Sequence, residues 1–256
     1  MTATPARRLW EARVTGRTVA AADVGPIADH AAAYAVQDAV TALSGVASVG
    51  WKLGATSAAS QAALGLDGPF YGPLLAPFCL ANGATLDGAS VFGPGAEGEF
   101  ALTLGADLPP RAAPYSETEV AGAVASVSPA LEIAGTRLAG GLVGADPRHL
   151  IADGAANIAF LHGDPDGAWR TRDLPRHGVT VFVNGEEKAS GTGAQALGGP
   201  LTALTWFVNT LSRQGRGLAA GEIVTTGTCT GFFPLKSGDV VRADFGALGT
   251  VSATIT

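Results

Sequence analysis

Lysine is the scarcest charge in this 256-residue chain: of 16 cationic residues only Lys52, Lys188 and Lys236 are lysines. Charged residues make up 15% in all, well below the roughly 25% of an average soluble protein, and the balance is acidic, at −6. No basic cluster is available to displace phosphate counterions, which excludes nucleic acid as a partner. Only two cysteines occur, Cys79 and Cys229, with no CxxC pair. Neither a zinc site nor a disulfide framework is therefore expected, and Cys229 reads as structural. Long hydrophobic runs are missing as well. The most apolar helical stretch, Ile27 to Leu43, carries Asp29, His30, Gln37 and Asp38 and is too polar to span a bilayer. The basic N-terminal residues precede no secretory apolar run, so a cytoplasmic protein is the expectation.

Hydrophobic residues (47%) are plentiful enough to build a sizeable core, and 36 glycines with 15 prolines point to many ordered turns. The first 45 residues read as helical. One helix starts at Pro5, and a second over Pro26–Leu43 places Ile27, Ala31, Tyr34, Val36, Val40 and Leu43 at three-to-four spacing before a stop at Gly45. Short apolar runs bounded by turn residues then predict strands at Val49–Leu53, Glu97–Leu104, Leu131–Ile133, Val179–Val183, Glu222–Thr226, Val240–Phe245 and Thr250–Ile255. Asn184-Gly185 suits a two-residue hairpin turn. A short helix is expected at Val120–Ser126 and a longer one at Pro200–Gln214. The fold class is α+β, a helical N-terminal part (1–75) followed by a β-rich mixed-sheet body (76–256), the two forming one compact unit.

Three acids stand among apolar or small neighbours. Glu97 and Glu99 are two apart in a predicted strand, so both point to one side. Two carboxylates in a partly buried place must share a proton or a cation, unless they lie on a solvated edge. Glu132, in Ala-Leu-Glu-Ile-Ala-Gly, is either a third member of that group or a surface ion-pair partner. Three carboxylates completed by water and substrate would suit Mg²⁺ or Mn²⁺. Lys52, between Gly50 and Gly54 in an apolar strand, either snorkels to the surface or points into a site. The turn Thr225-Thr-Gly-Thr228-Cys-Thr-Gly231 offers amide and hydroxyl donors for an anion. There is no phosphate-loop motif, no GxSxG and no GxGxxG opening a helix after a strand. The four histidines, His30, His149, His162 and His177, read as surface or capping residues.

Taken in order, Gly50-Trp-Lys52-Leu-Gly-Ala-Thr-Ser57, Pro69-Phe-Tyr-Gly72, Glu97-Gly-Glu99-Phe-Ala-Leu102 and Pro129-Ala-Leu-Glu132-Ile-Ala-Gly-Thr-Arg137 form a recognisable series. Ile151-Ala-Asp153, Leu197-Gly-Gly-Pro-Leu201 and Ala220-Gly-Glu-Ile-Val-Thr-Thr-Gly-Thr228 complete it. The series resembles the 2-keto-4-pentenoate hydratase/4-oxalocrotonate decarboxylase branch of the fumarylacetoacetate hydrolase superfamily, from about residue 27 to the C-terminus. The resemblance implies a mixed-sheet roll and an Mg²⁺ or Mn²⁺ ion on Glu97, Glu99 and Glu132. It also implies Lys52 as a catalytic and substrate-facing residue, Asp153 as an orienting catalytic group and Thr228 as a donor to the substrate carboxylate. The implied activity is a hydratase for a 2-hydroxy-2,4-dienoate. The runner-up is a decarboxylase of a 2-oxo-enedioate, followed by an acylpyruvate hydrolase or a non-catalytic partner subunit. The low charge and high apolar content, together with the resemblance, lead us to expect a homo-oligomer. Four positions depart from the branch: Phe70 stands where hydratases tend to carry an acid, and Gly154, Ala156 and Gly199 replace an amide, a hydroxyl and an imidazole.

Overall fold

The structure, a computed structural model, describes residues 3–256. Its helices are α1 (Pro5–Thr15), α2 (Ala21–Val24), α3 (His30–Ser44), α4 (Ala58–Leu64), α5 (Glu117–Ala123), α6 (Pro147–Ala152) and α7 (Pro200–Arg213). Its strands are β1 (Ser48–Gly54), β2 (Phe70–Leu75), β3 (Cys79–Leu80), β4 (Ala84–Leu86), β5 (Gly95–Leu104), β6 (Val124–Ala134) and β7 (Asn157–His162). They continue with β8 (Gly178–Val183), β9 (Glu186–Thr192), β10 (Ile223–Thr225), β11 (Phe233–Pro234), β12 (Val240–Asp244) and β13 (Thr250–Ile255).

Helix α1 begins at Pro5 because proline fits the first helical position and the Thr4 hydroxyl accepts from the Arg7 N–H. Helix α3 starts at His30 rather than at Pro26. The Asp29 carboxylate accepts from the Ala32 N–H and caps it there, leaving Pro26 and Ile27 in the approach; Gly45, left-handed at φ 65°, ends it. Helices α1, α3 and α6 enclose Leu9, Ala33, Val40, Leu150 and Ile151, and α3 and α6 lie against β2.

Two mixed sheets form the body. The larger has the order β2-β1-β10-β5-β6-β7-β3, with β11 also on β5, and the smaller the order β4-β13-β12-β8-β9. Strands β1 and β10, β3 and β7, and β4 and β13 are parallel pairs; the remaining pairs are antiparallel. Strands β1 and β2, from the first 75 residues, therefore share a sheet with β5 and β6. Alternation assigns the two faces of β5. Ala96, Phe100 and Leu102 enter the main core against the second sheet, where Phe100 meets Phe245 edge-on at 5.2 Å. Glu97, Glu99 and Ala101 point the other way. Gly98 has no room for a side chain, since a Cβ would lie 2.9 Å from Val179 of the second sheet.

The short helix expected at Val120–Ser126 runs instead over Glu117–Ala123. Ser116 and Glu119 form a reciprocal capping box that moves its start earlier. From Val124 the chain joins β6, which pairs with β5 along nearly its whole length and so extends well beyond the expected Leu131–Ile133. The hairpin turn is as expected, with Asn184 and Gly185 at φ 54° and 83°.

Candidate metal centre

The pairing of β5 with β6 places Glu97 directly opposite Glu132, and alternation brings Glu99 to the same face. Carboxylate oxygens of the three residues lie within 4.8 Å of one another. Glu99 and Glu132 are fully buried; Glu97, half-buried, marks the open side. Strand β1 brings Lys52, 2% exposed, to this cluster, with its Nζ 3.2 Å from Glu132 Oε1. The snorkelling and surface ion-pair alternatives left open by the sequence thus give way to a buried site.

Three further groups complete the surroundings, of which Asn157 carried no signal in the sequence. Asn157, the first residue of β7, donates from Nδ2 to Glu132 Oε1 at 2.9 Å. The Phe70 ring lies under Lys52, its centroid 5.4 Å from Nζ, and packs so closely on Gly54 that a Cβ there would lie 2.7 Å from it. The Gly227 N–H donates to Glu99 Oε2 at 3.0 Å. The turn expected to offer donors to an anion therefore gives one to a carboxylate of the protein. Asn157 is held where it is by an unusual turn: Gly154, Ala155 and Ala156 are all left-handed, at φ 68°, 56° and 62°. For alanine that conformation costs about 1–2 kcal/mol per residue, and strain of this kind gathers around functional sites.

Electrostatics makes the cluster dependent on positive charge. Burial first, then Glu132, pushes the Glu97 carboxyl up to about 7, against the pull of Lys52. Burial, Glu132 and Glu97 push Glu99 well above the carboxylate range. Burial alone would lower the Lys52 pKa, but Glu132, Glu97 and Glu99 outweigh it and the ammonium is held more firmly than usual. Two carboxylate oxygens, Glu99 Oε1 and Glu132 Oε2, are buried with no hydrogen-bond partner among the described residues. Hard oxygen donors that converge with unsatisfied lone pairs and only one ammonium for three carboxylates fit a hard divalent cation.

Two predictions arise here. A carboxyl whose pKa is raised by folding contributes stability that is complete below its unfolded value, near 4.5, and is lost as pH rises through the folded value, about 7 for Glu97. The melting temperature of protein stripped with chelator is expected to fall across that interval relative to the Mg²⁺-loaded protein. Parallel pH profiles with and without the metal would contradict the charged cluster. In the second, Gly227→Ala is expected to disable the site. Gly227 is left-handed at φ 82°, and a Cβ there would lie 2.1 Å from Thr56 Oγ1. The shift needed to relieve that clash withdraws the amide from Glu99. A loss of about 1–3 kcal/mol in chemical denaturation is expected, with weakened metal binding.

Asp153 and Thr228 are each engaged by neighbours of their own. Asp153 is buried, but its Oδ2 accepts from Thr136 Oγ1 and the Arg137 N–H, and its Oδ1 from Arg137 Nε at 2.7 Å. A carboxylate so saturated by an arginine that also binds the Asn157 carbonyl is brought to the turn before β7 and not to Lys52. Thr228 is half-buried in its own loop, donating to the Gly231 carbonyl and accepting from the Thr230 N–H. Of the histidines, His149 is buried rather than at the surface, with Nε2 2.9 Å from the Gly25 carbonyl. Cys229 is buried as a structural residue, and burial and the Glu99 charge raise its thiol pKa.

The sequence model of the fumarylacetoacetate (FAA) hydrolase C-terminal family matches residues 79–256, the segment that carries all three carboxylates. The chain belongs to the fumarylacetoacetate hydrolase family. Within that family it is 34% identical to a 2-keto-4-pentenoate hydratase of Burkholderia vietnamiensis, over 99% of this chain and 97% of the relative. It is 31% identical to a 4-oxalocrotonate decarboxylase of Pseudomonas putida, over 80% of this chain and 76% of the relative. Among solved structures, the 4-oxalocrotonate decarboxylase from Pseudomonas putida G7 complexed with magnesium and adipate superposes with a TM-score of 0.90 at 28% identity, covering 98% of this chain and 96% of that one. The same enzyme complexed with calcium and acetate gives a TM-score of 0.89. The family's mixed-sheet fold is thus present throughout. No helix among the described residues is long and apolar enough to cross a membrane.

Proposed function

We propose that this protein adds water to a 2-hydroxy-2,4-dienoate, through its 2-oxo-enoate form, to give a 4-hydroxy-2-oxo acid, using Mg²⁺ or Mn²⁺ held by Glu97, Glu99 and Glu132. The observation that carries the reading is the buried carboxylate triad around a single ammonium, with two carboxylate oxygens unpartnered. Its reaction class is supported by full-length similarity to several 2-keto-4-pentenoate hydratases at 32–34% identity. When bound, the cation supplies Lewis-acid stabilisation of the negative charge that develops on the oxygen at C2.

The chain's own residues do the rest. Lys52 keeps its proton on Nζ under the influence of three carboxylates and offers it as a hydrogen-bond donor to the developing oxyanion or the C1 carboxylate. Asn157 fixes the orientation of Glu132 through the Nδ2 hydrogen bond, and the Gly227 amide does the same for Glu99. Phe70 covers Lys52 and excludes water from that side, which strengthens every charge interaction inside. Asp153, in this reading, is a positioning residue: it holds Arg137, which binds the Asn157 carbonyl. Thr228 serves as a donor to the substrate carboxylate once its hydroxyl turns from Gly231. A homo-oligomer is part of the same proposal.

A second reading, decarboxylation of a 2-oxo-enedioate, is favoured by the apolar Phe70 beside Lys52 and by the similarity to the decarboxylase. Product analysis by NMR separates the two. The Mg²⁺-loaded protein is expected to convert 2-hydroxypenta-2,4-dienoate to a 4-hydroxy-2-oxo acid. Loss of CO₂ from 2-hydroxymuconate, with the first compound merely ketonised, would replace hydration by decarboxylation.

A further inference from the structure

A cavity of about 220 Å³ lies between α1, the segment 77–92 and the start of β7, and neither Lys52 nor any of the three carboxylates lines it. Two arginines do. The Arg13 guanidinium stacks 3.8 Å from the centre of the Phe78 ring and donates from Nη2 to the Ile158 carbonyl at 3.0 Å, while its Nε is buried with no partner among the described residues. Arg137, 2% exposed, spends Nε on the Asp153 carboxylate, Nη1 on the Asn157 carbonyl and one N–H of Nη2 on the Asp153 carbonyl, which leaves the second N–H of each Nη.

Asp153, already paired with Arg137, is the carboxylate that acts on Arg13 among the described residues, and Arg137 opposes it more strongly. Two guanidiniums thus share one carboxylate. Arginine does not shed its charge in proteins, so one positive charge and one buried N–H donor are left without an answer in the fold. Burial and the neighbouring Arg137 both act to lower the Arg13 pKa, the pressure that a bound anion would relieve.

We propose that this cavity binds a small organic monocarboxylate, its carboxylate on the paired guanidiniums of Arg13 and Arg137 and its apolar body against Leu80, Phe92 and Ile158. The planar fork of a guanidinium matches a carboxylate with two parallel hydrogen bonds. The apolar lining selects an organic acid over an inorganic anion. Asp87, exposed at the rim, disfavours a dianion. The site is separate from the metal centre, although Arg137 and Arg13 bind the carbonyls of Asn157 and Ile158 on the strand that carries the amide holding Glu132.

Calorimetric titration of the Mg²⁺-loaded protein with benzoate tests it. One site per chain is expected, with a Kd roughly millimolar or tighter. Arg13→Met should weaken it at least tenfold and Lys52→Met should leave it unchanged. Should Arg13→Met fail to fold, Arg13→Lys, which keeps the charge and loses the fork, should still weaken binding severalfold. Absence of benzoate binding overturns the proposal, as does binding that survives both Arg13 substitutions. Binding abolished by Lys52→Met would assign the benzoate to the catalytic centre instead, and phosphate binding as tightly as benzoate would overturn the carboxylate class.

Discussion

Glu132→Gln is expected to abolish both activity and the stabilisation that Mg²⁺ confers, while leaving the metal-free fold nearly as stable as before. The side chain sits at the centre of the site: it faces Glu97 across the strand pair, contacts Lys52 at 3.2 Å and accepts from Asn157. Glutamine has nearly the same shape, and its carbonyl oxygen can still accept from Asn157 and Lys52. Removing one charge also relieves the repulsion that raises the Glu97 and Glu99 pKa values. The cation loses a ligand charge for which nothing nearby substitutes. At a metal concentration a hundred times Kd, the wild type should gain about 2.7 kcal/mol, roughly 5–10 °C for a chain of this size. The variant should gain almost nothing, and turnover should drop by about a thousandfold or more, the equivalent of several kcal/mol of Lewis-acid stabilisation. Thermal melts with and without millimolar Mg²⁺, beside an activity assay, check this. A variant that keeps its Mg²⁺ shift would remove Glu132 from the metal site.

Lys52→Met should act in the opposite manner, on the fold as well as on the chemistry. Methionine fills most of the stem's volume against Phe70 but leaves three carboxylates with no cation among the neighbouring side chains. Breaking a buried pair in this way costs about 3–5 kcal/mol, because the surviving charge keeps its desolvation penalty. The metal-free variant is therefore expected to melt far below wild type, and Mg²⁺ should restore much of the difference, giving a larger metal-induced shift than in the wild type. Activity should remain low even when the metal is saturating, by about 10²–10³, the usual effect of losing one preorganised donor. Full activity in saturating Mg²⁺ would reduce Lys52 to a structural counterion.

The two outcomes together separate the ligand role from the donor role. Loss of the metal response identifies a ligand, whereas an enlarged metal response with persistent loss of rate identifies a donor. Circular dichroism of each variant with and without metal distinguishes either result from general unfolding.

Much of this site could be read from the chain by itself. Strand alternation aligned Glu97 with Glu99, an apolar setting marked Lys52 and Glu132, and the order of the motifs connected them to a family. Helix α1, helix α7 and the Asn184-Gly185 hairpin were legible for the same local reason: proline, glycine and asparagine impose backbone angles that short-range sequence reveals. Whether those acids were solvated or buried, and whether Lys52 faced them, was decided only when β1, β10, β5, β6 and β7 assembled into one sheet. The same assembly brought Asn157, Phe70 and the Gly227 amide to the site and drew Asp153 away to Arg137. No local pattern shows which groups these residues meet, because cross-strand register and the close approach of a turn depend on partners from 16 to 128 positions away. The sequence determined which charges the protein owns; the tertiary structure decided which of them are removed from water together, and desolvation is what converts neighbouring carboxylates into a site that requires a cation.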